Sequence, residues 1–316
     1  MMSDSSRRTR MCTVGLLALT TVLAATTACG SGSTGSAQPS GAQGGRTDVT
    51  AAMYPLQWLA ERVGGGDAVV TGLTRPGVEP HDLELTLNQI AELERTRLVV
   101  YVKGVQPAVD EAVEQHAPGR GFDVTGAVKV LPGPPEEGEQ ADGVNTGHDP
   151  HIWLDPSRLA TIATELGERL AAADPAHAQA YRDRANKTAA DLNALDGELA
   201  QGLGRCASTA IVTSHSAFGY LADRYKLRQI GISGLDPESE PAPARLAEVA
   251  KVAKQEKVTT IFTETLVSPK VAEVLAKEVG ATTAVLDPVE SRPANGDYLS
   301  AMRQNLSALQ AALRCS

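Results

Sequence analysis

Two periods of apolar spacing take turns along most of the chain. Short apolar runs of strand length recur at residues 47–52, 68–73, 97–102 and 121–125. Between them, residues 54–63, 85–96 and 106–116 carry apolar side chains at helical spacing. The second half repeats this logic. Strands are expected at 208–213, 227–232, 258–263 and 281–286, and helices at 216–225, 243–256, 268–279 and 297–313. Gly280 supplies a C-cap for the third of these helices. Strands alternating with helices predict parallel sheets covered by helices. Between the halves, Tyr181, Ala185, Thr188, Leu192, Leu195 and Leu199 keep one helical stripe after Asp174-Pro175, a capping residue and a first-turn proline. About 28 residues at ~1.5 Å each span roughly 40 Å, a stiff backbone rather than a hinge. The expected fold is α/β: two lobes, each with a parallel sheet flanked by helices, joined by one long backbone helix. Residues 47–173 would form the first lobe, 174–205 the helix and 206–316 the second lobe.

Composition narrows the function. The 316 residues are 42% hydrophobic and 21% charged, the balance of a soluble globular protein. Lys+Arg number 29 against Asp+Glu 38, a formal charge of −9 with no basic block, which argues against a nucleic-acid partner. Aromatic residues make up only 3%, too few for platforms that stack bases or sugars.

The N-terminus reads as an address. Arg7, Arg8 and Arg10 precede an apolar stretch over residues 14–28, shorter than the ~20 residues of a spanning helix. It ends in Thr26-Thr27-Ala28-Cys29-Gly30, and a Ser/Gly-rich run follows to Gly45. This resembles a bacterial lipoprotein signal, although Thr26 stands where an aliphatic residue is usual. Residues 1–28 would be the signal peptide, Cys29 the lipidated residue and 29–46 a tether holding the protein outside the cell membrane. An ordinary secretory signal is the alternative. Cys206 and Cys315 then remain in the folded body, and two cysteines in an exported protein usually pair. Two free thiols or a metal pair are the other readings. A bridge would close a loop of about 110 residues, worth roughly 4–5 kcal/mol by chain entropy. Residues 132–148 hold Pro134, Pro135, Glu136, Glu137, Glu139 and Asp142 without Lys or Arg, the pattern of a solvated loop.

Six histidines are present. His116 and His177 read as surface residues. His81 stands in Glu79-Pro80-His81-Asp82 after an expected strand. His151 stands in Asp149-Pro150-His151-Ile152-Trp153-Leu154-Asp155-Pro156, and His215 in Ser214-His215-Ser216-Ala217-Phe218 after another strand. Glu264 and Asp287 also follow strands. Ligands of α/β sheets bind beyond the carboxyl ends of the strands, so several of these residues point to one crevice. Imidazoles with a carboxylate are donors for Zn²⁺ and similar divalent ions. No compact His-x₃-His or Cys-x₂-Cys spacing occurs.

These words, with Glu264-Thr265-Leu266-Val267-Ser268-Pro269-Lys270, resemble the zinc/manganese solute-binding proteins of ABC importers (ZnuA/TroA-like) over residues 49–313. The resemblance implies two lobes on one long helix, with His81 and His151 as ligands from the first and His215 and Asp287 from the second. Glu264 would orient a ligand histidine. Glu79 and Asp82 are alternative fourth ligands, and His148 is what this chain keeps of the family's His-rich loop. The implied cargo is Zn²⁺, with Mn²⁺ the alternative, since three imidazoles suit zinc. The implied partners are an ABC permease with its cytoplasmic ATPase, and the membrane through the lipid; the receptor itself would be a monomer. An adhesin or metal buffer without transport is a rival. A zinc hydrolase with Glu264 or Glu79 as base is a more distant one, because it needs an open coordination position.

Overall fold

The structure, a computed structural model, describes residues 45–133 and 147–316. The expected signal peptide, Cys29 and nearly all of the tether lie outside the described residues, as does most of the acidic loop.

Two four-stranded parallel sheets carry the fold. The first comprises β1 (Thr47–Ala51), β2 (Ala68–Gly72), β3 (Leu98–Tyr101) and β4 (Gly121–Asp123), in the order β2-β1-β3-β4. Thr50 of β1 pairs in register with Thr71 on one side and Val99 on the other. The second comprises β5 (Ala210–Thr213), β6 (Arg228–Gly231), β7 (Thr260–Thr263) and β8 (Thr282–Val285), in the order β6-β5-β7-β8. Both sheets reverse direction of growth beside their first strand. The carboxyl ends at β1/β3 and β5/β7 are therefore the topological switch points where such sheets take ligands. Apolar runs such as Leu98-Val99-Val100 and Ala210-Ile211-Val212 are buried in the central strands, as expected where helices cover both faces.

The covering helices are α1 (Tyr54–Gly64), α2 (Leu87–Arg95) and α3 (Pro107–His116) in the first half. In the second half they are α6 (Gly219–Tyr225), α7 (Pro243–Gln255), α8 (Lys270–Val279) and α9 (Tyr298–Leu313). Between the halves, Pro156–Ala173, for which the sequence pattern above yields no element, is an 18-residue helix, α4. A short turn leads from it into α5 (Ala178–Leu203), the long helix, with 26 residues. The two pack side by side. Gly167 marks their closest approach, since a Cβ there would meet the Ala185 Cβ at 2.5 Å.

The lobes share one apolar core. Leu56, Trp58 and Leu59 of α1, Leu192, Leu195 and Leu199 of α5, and Phe218, Tyr220, Leu286 and Tyr298 of the second half belong to a single buried cluster. Each fully buried side chain of this size contributes about 1.5–3 kcal/mol, so parting the lobes along this seam would be costly. Polar clasps add to it: Trp58 Nε1 donates to Asp297 Oδ2 at 3.1 Å, and Tyr220 Oη to the Asp149 carbonyl at 2.7 Å. Cys206 and Cys315 form a disulfide that ties the end of α5 to the end of α9. That settles the three readings of these cysteines.

Candidate metal centre

His151 lies in a proline-bracketed turn whose next three residues, Ile152, Trp153 and Leu154, are fully buried. Asp155 caps α4 behind it by accepting the amides of Ser157 and Arg158. Asp149 accepts both the His151 amide at 2.9 Å and its Nδ1–H at 2.8 Å. His215 follows β5 at the switch point. Glu264, just beyond β7, accepts the His215 amide at 3.1 Å and its Nδ1–H at 2.7 Å. A carboxylate on Nδ1 fixes the tautomer that leaves the Nε2 lone pair free, the second-layer arrangement typical of metal-ligating histidines. His81 is the least buried of the three and sits in the connection between β2 and α2. That connection is pinned by the Thr86/Gln89 capping box of α2 and by Gly77, whose amide donates to Ser291 Oγ at 2.7 Å. Gly77 takes φ +79°, a conformation that glycine adopts without strain.

The three rings turn toward one point. The Nε2 atoms of His81, His151 and His215 and an oxygen of Glu290 all lie within 4.8 Å of one another. Glu290 Oε1 is 3.5 Å from His81 Nε2, 3.7 Å from His151 Nε2 and 3.8 Å from His215 Nε2. A tetrahedral ion with bonds of ~2.0–2.1 Å sets its donor atoms roughly 3.3–3.4 Å apart, so small shifts would complete the shell. All four atoms are buried and have no hydrogen-bond partner among the described residues. Each such buried group costs about 1–3 kcal/mol unless something joins it. A cation at their centre would satisfy all four at once.

The electrostatics agree. Burial alone would lower the His215 pKa, but Glu264, Glu290 and Glu79 outweigh it and carry it up to about 9. His81 is likewise raised, burial being outweighed by Glu290 and Glu79. His151 is lowered, because its burial outweighs the pull of Asp149. Burial would raise Glu290, but the imidazoles of His81, His215 and His151 hold its carboxyl well below the usual range. Glu79 is pushed up, first by burial and then by the Glu290 charge.

Among the expected site residues, the structure brings together His81, His151 and His215. It does not bring Asp287 to them. The carboxylate in the cluster is Glu290, three residues further on. Asp287 instead turns its Oδ1 to the amide of Val289 at 2.7 Å. Glu264 stands behind His215. Glu79 accepts the His81 amide at 3.2 Å and lies outside the four-atom group. Asp82 is exposed. His148 pairs with Pro132 in an isolated bridge and is not one of the four residues of the group. Asp149 and Glu290 carry roles the sequence reading does not assign. Asp149 could have been found as the acid two residues before His151, and Glu290 as a second acid beyond the last strand.

A two-lobed α/β fold with a buried cluster of metal-type donors at its switch point is the architecture of a solute-binding protein. This chain belongs to the ZnuA family: the family model described as "Zinc-uptake complex component A periplasmic" matches residues 49–312. It is 33% identical over 279 residues to the zinc-binding lipoprotein AdcA of Streptococcus pneumoniae, covering 84% of this chain and 56% of AdcA. It thus spans little more than half the length of that relative. It is 31% identical over 312 residues to the high-affinity zinc uptake system protein ZnuA of Bacillus subtilis, covering 95% of this chain and 97% of that protein. Among solved structures, the laminin-binding protein Lmb of Streptococcus agalactiae, titled a bifunctional protein with adhesin and metal transporting activity, superposes with a TM-score of 0.76. The identity there is 30%, over 84% of this chain and 99% of that one.

Proposed function

We propose that this protein is the extracytoplasmic zinc receptor of an ABC importer, and that it captures one Zn²⁺ between its lobes on His81, His151, His215 and Glu290. The observation that carries this reading is the convergence of four buried donor atoms without other partners among the described residues. Three imidazoles and one carboxylate suit Zn²⁺ better than Mn²⁺, which favours oxygen donors. The names of the AdcA and ZnuA relatives support the same ion.

Four protein donors close the tetrahedron and leave no position for a reactive water, so the site holds its ion rather than using it. Asp149 and Glu264 keep Nδ1 protonated on two of the rings and so keep Nε2 turned to the ion. His81 is on the most exposed of the donor segments, and its withdrawal opens the shell for delivery to a permease. The shared core keeps the lobes nearly fixed while this happens. A lipid on Cys29 and the tether after it would hold the receptor beside that permease.

The test is titration of metal-stripped protein with Zn²⁺ and Mn²⁺ in competition with a chelator, with thermal melts alongside. The expected result is one tight equivalent of zinc, not displaced by manganese and held far more weakly by His215→Ala. Ligand at ~100 times its Kd adds about 2.7 kcal/mol to stability, a visible rise in Tm. Absence of tight binding by either ion would overturn the reading.

A further inference from the structure

We propose that Asp287, Asn305 and Trp153 form a bracket that aims Glu290 at the three imidazoles, so that Asp287 acts on the metal through Glu290 without touching it. This rests on the metal-receptor reading above.

Glu290 lies in the irregular connection between β8 and α9, where nothing in the local sequence pattern fixes a carboxylate. The residue before it, Val289, is fully buried and has φ +58°. A β-branched side chain in the left-handed region is an outlier that persists only where its surroundings hold it. Those surroundings are specific. Asp287 Oδ1 accepts the Val289 amide at 2.7 Å and closes the turn. Asn305, buried on α9, grips Asp287 from both sides: its Oδ1 accepts the Asp287 amide at 2.9 Å and its Nδ2 donates to the Asp287 carbonyl at 2.6 Å. Trp153 Nε1 donates to the Pro288 carbonyl at 2.7 Å. Trp153 is two residues from His151, so the same turn that presents one imidazole also steadies the carboxylate opposite it. The backbone from Asp287 to Val289 is therefore fixed at each residue, and Glu290 emerges with its Oε1 within 4 Å of all three Nε2 atoms. The Asp287 oxygen is spent on its own turn, which is why an acid at this position is a positioning residue and not a ligand.

The experiment uses the exported chain and compares wild type, Asp287→Ala, Asp287→Asn, Glu290→Gln and the Asp287→Ala/Glu290→Gln double variant. Zinc affinity is read by chelator competition, and the visible spectrum of the Co²⁺ form reports four-coordination. Asp287→Ala is expected to weaken zinc about 10–100-fold, the usual effect of losing an outer-layer partner, and to shift the cobalt spectrum toward that of Glu290→Gln. Asp287→Asn, whose amide oxygen can still take the Val289 N–H, is expected to retain wild-type affinity and spectrum. In the Glu290→Gln background, Asp287→Ala is expected to add nothing, because the two act through one contact. An Asp287→Asn loss as large as that of Asp287→Ala would overturn the proposal in favour of a direct or charge role. Additive losses in the double variant would overturn it in favour of a general structural role. If Asp287→Ala does not fold, Asn305→Ala enters the same cycle in its place. Failure of the wild type to bind zinc would instead overturn the receptor reading itself.

Discussion

Glu264→Gln changes one atom and asks whether the second layer sets the chemistry of the first. Glu264 is 8% exposed and offers two acceptors to two donors, the amide and the Nδ1–H of His215. Glutamine offers one acceptor and one donor. Its NH₂ must then face a donor, or the imidazole must move its proton to Nε2, which is the metal-facing atom. Either outcome weakens the Nε2 bond to the ion. Outer-layer substitutions of this kind cost about 10–100-fold in metal affinity, or about 1.4–2.8 kcal/mol. A second effect opposes the first. Glu264 is the largest of the charges that carry the His215 pKa up to about 9, so the wild-type site must shed a proton to bind zinc at neutral pH. The variant's imidazole binds that proton less tightly and so has less to lose. The two effects separate by pH. Near pH 9 the wild-type imidazole is half deprotonated, proton competition costs only about twofold and nearly the full loss is read; toward pH 7 the gap between variant and wild type narrows. The assay is chelator competition across that range, with melts of the metal-free proteins to show that both are folded. An affinity unchanged at pH 9, or a deficit that grows toward acid, would refute the reasoning.

Three further outcomes follow from the same structure. Because His215 and His81 are both raised in the metal-free site, zinc affinity should climb by about tenfold per pH unit from neutrality toward pH 9, with release of about one proton on binding. Calorimetry in buffers of different ionisation enthalpy checks it, and a flat profile contradicts it. Cys206→Ser/Cys315→Ser should lower stability by about 5 kcal/mol, the chain-entropy value for a loop of this length, in denaturant titration. Zinc affinity should not change in that variant, because Cys206 precedes β5 while His215 follows it. Solution scattering of metal-free and zinc-loaded protein should give superimposable curves, since one buried core runs through both lobes. A domain closure on binding would count against the fixed-lobe account.

How much of this was legible in the chain depended on whether local pattern or tertiary contact decides each feature. The two sheets and their alternating helices were legible because apolar runs such as Leu98-Val99-Val100 contrast strongly with the helical stripes between them. Helix α4 carries the same signal, with Leu159, Ile162, Leu166 and Leu170 at helical spacing on its buried face, but it follows no strand and so falls outside the alternation that marks the other helices. The helix expected from residue 216 begins only at Gly219, since the Ser216 amide and hydroxyl are taken by Gly234 and Ser233. In the site, the three histidines stood out because His215 follows a strand directly, His151 sits between Pro150 and Pro156, and His81 follows Pro80 in the connection after β2. Glu290 was hidden by Asp287, an equally acidic residue nearer the strand end. What separates the two acids is the left-handed turn at Val289 and the grip of Asn305 and Trp153, both distant in sequence, and no periodicity carries that information.

The central claim is a closed shell of three imidazoles and one carboxylate around zinc. X-ray absorption at the zinc edge, on protein loaded with one equivalent, tests it most directly. The account predicts three imidazole nitrogens and one oxygen at about 2.0–2.2 Å, with one imidazole lost in His215→Ala and the oxygen shell altered in Glu290→Gln. A shell with fewer than three imidazoles, or one unchanged by either substitution, would contradict it.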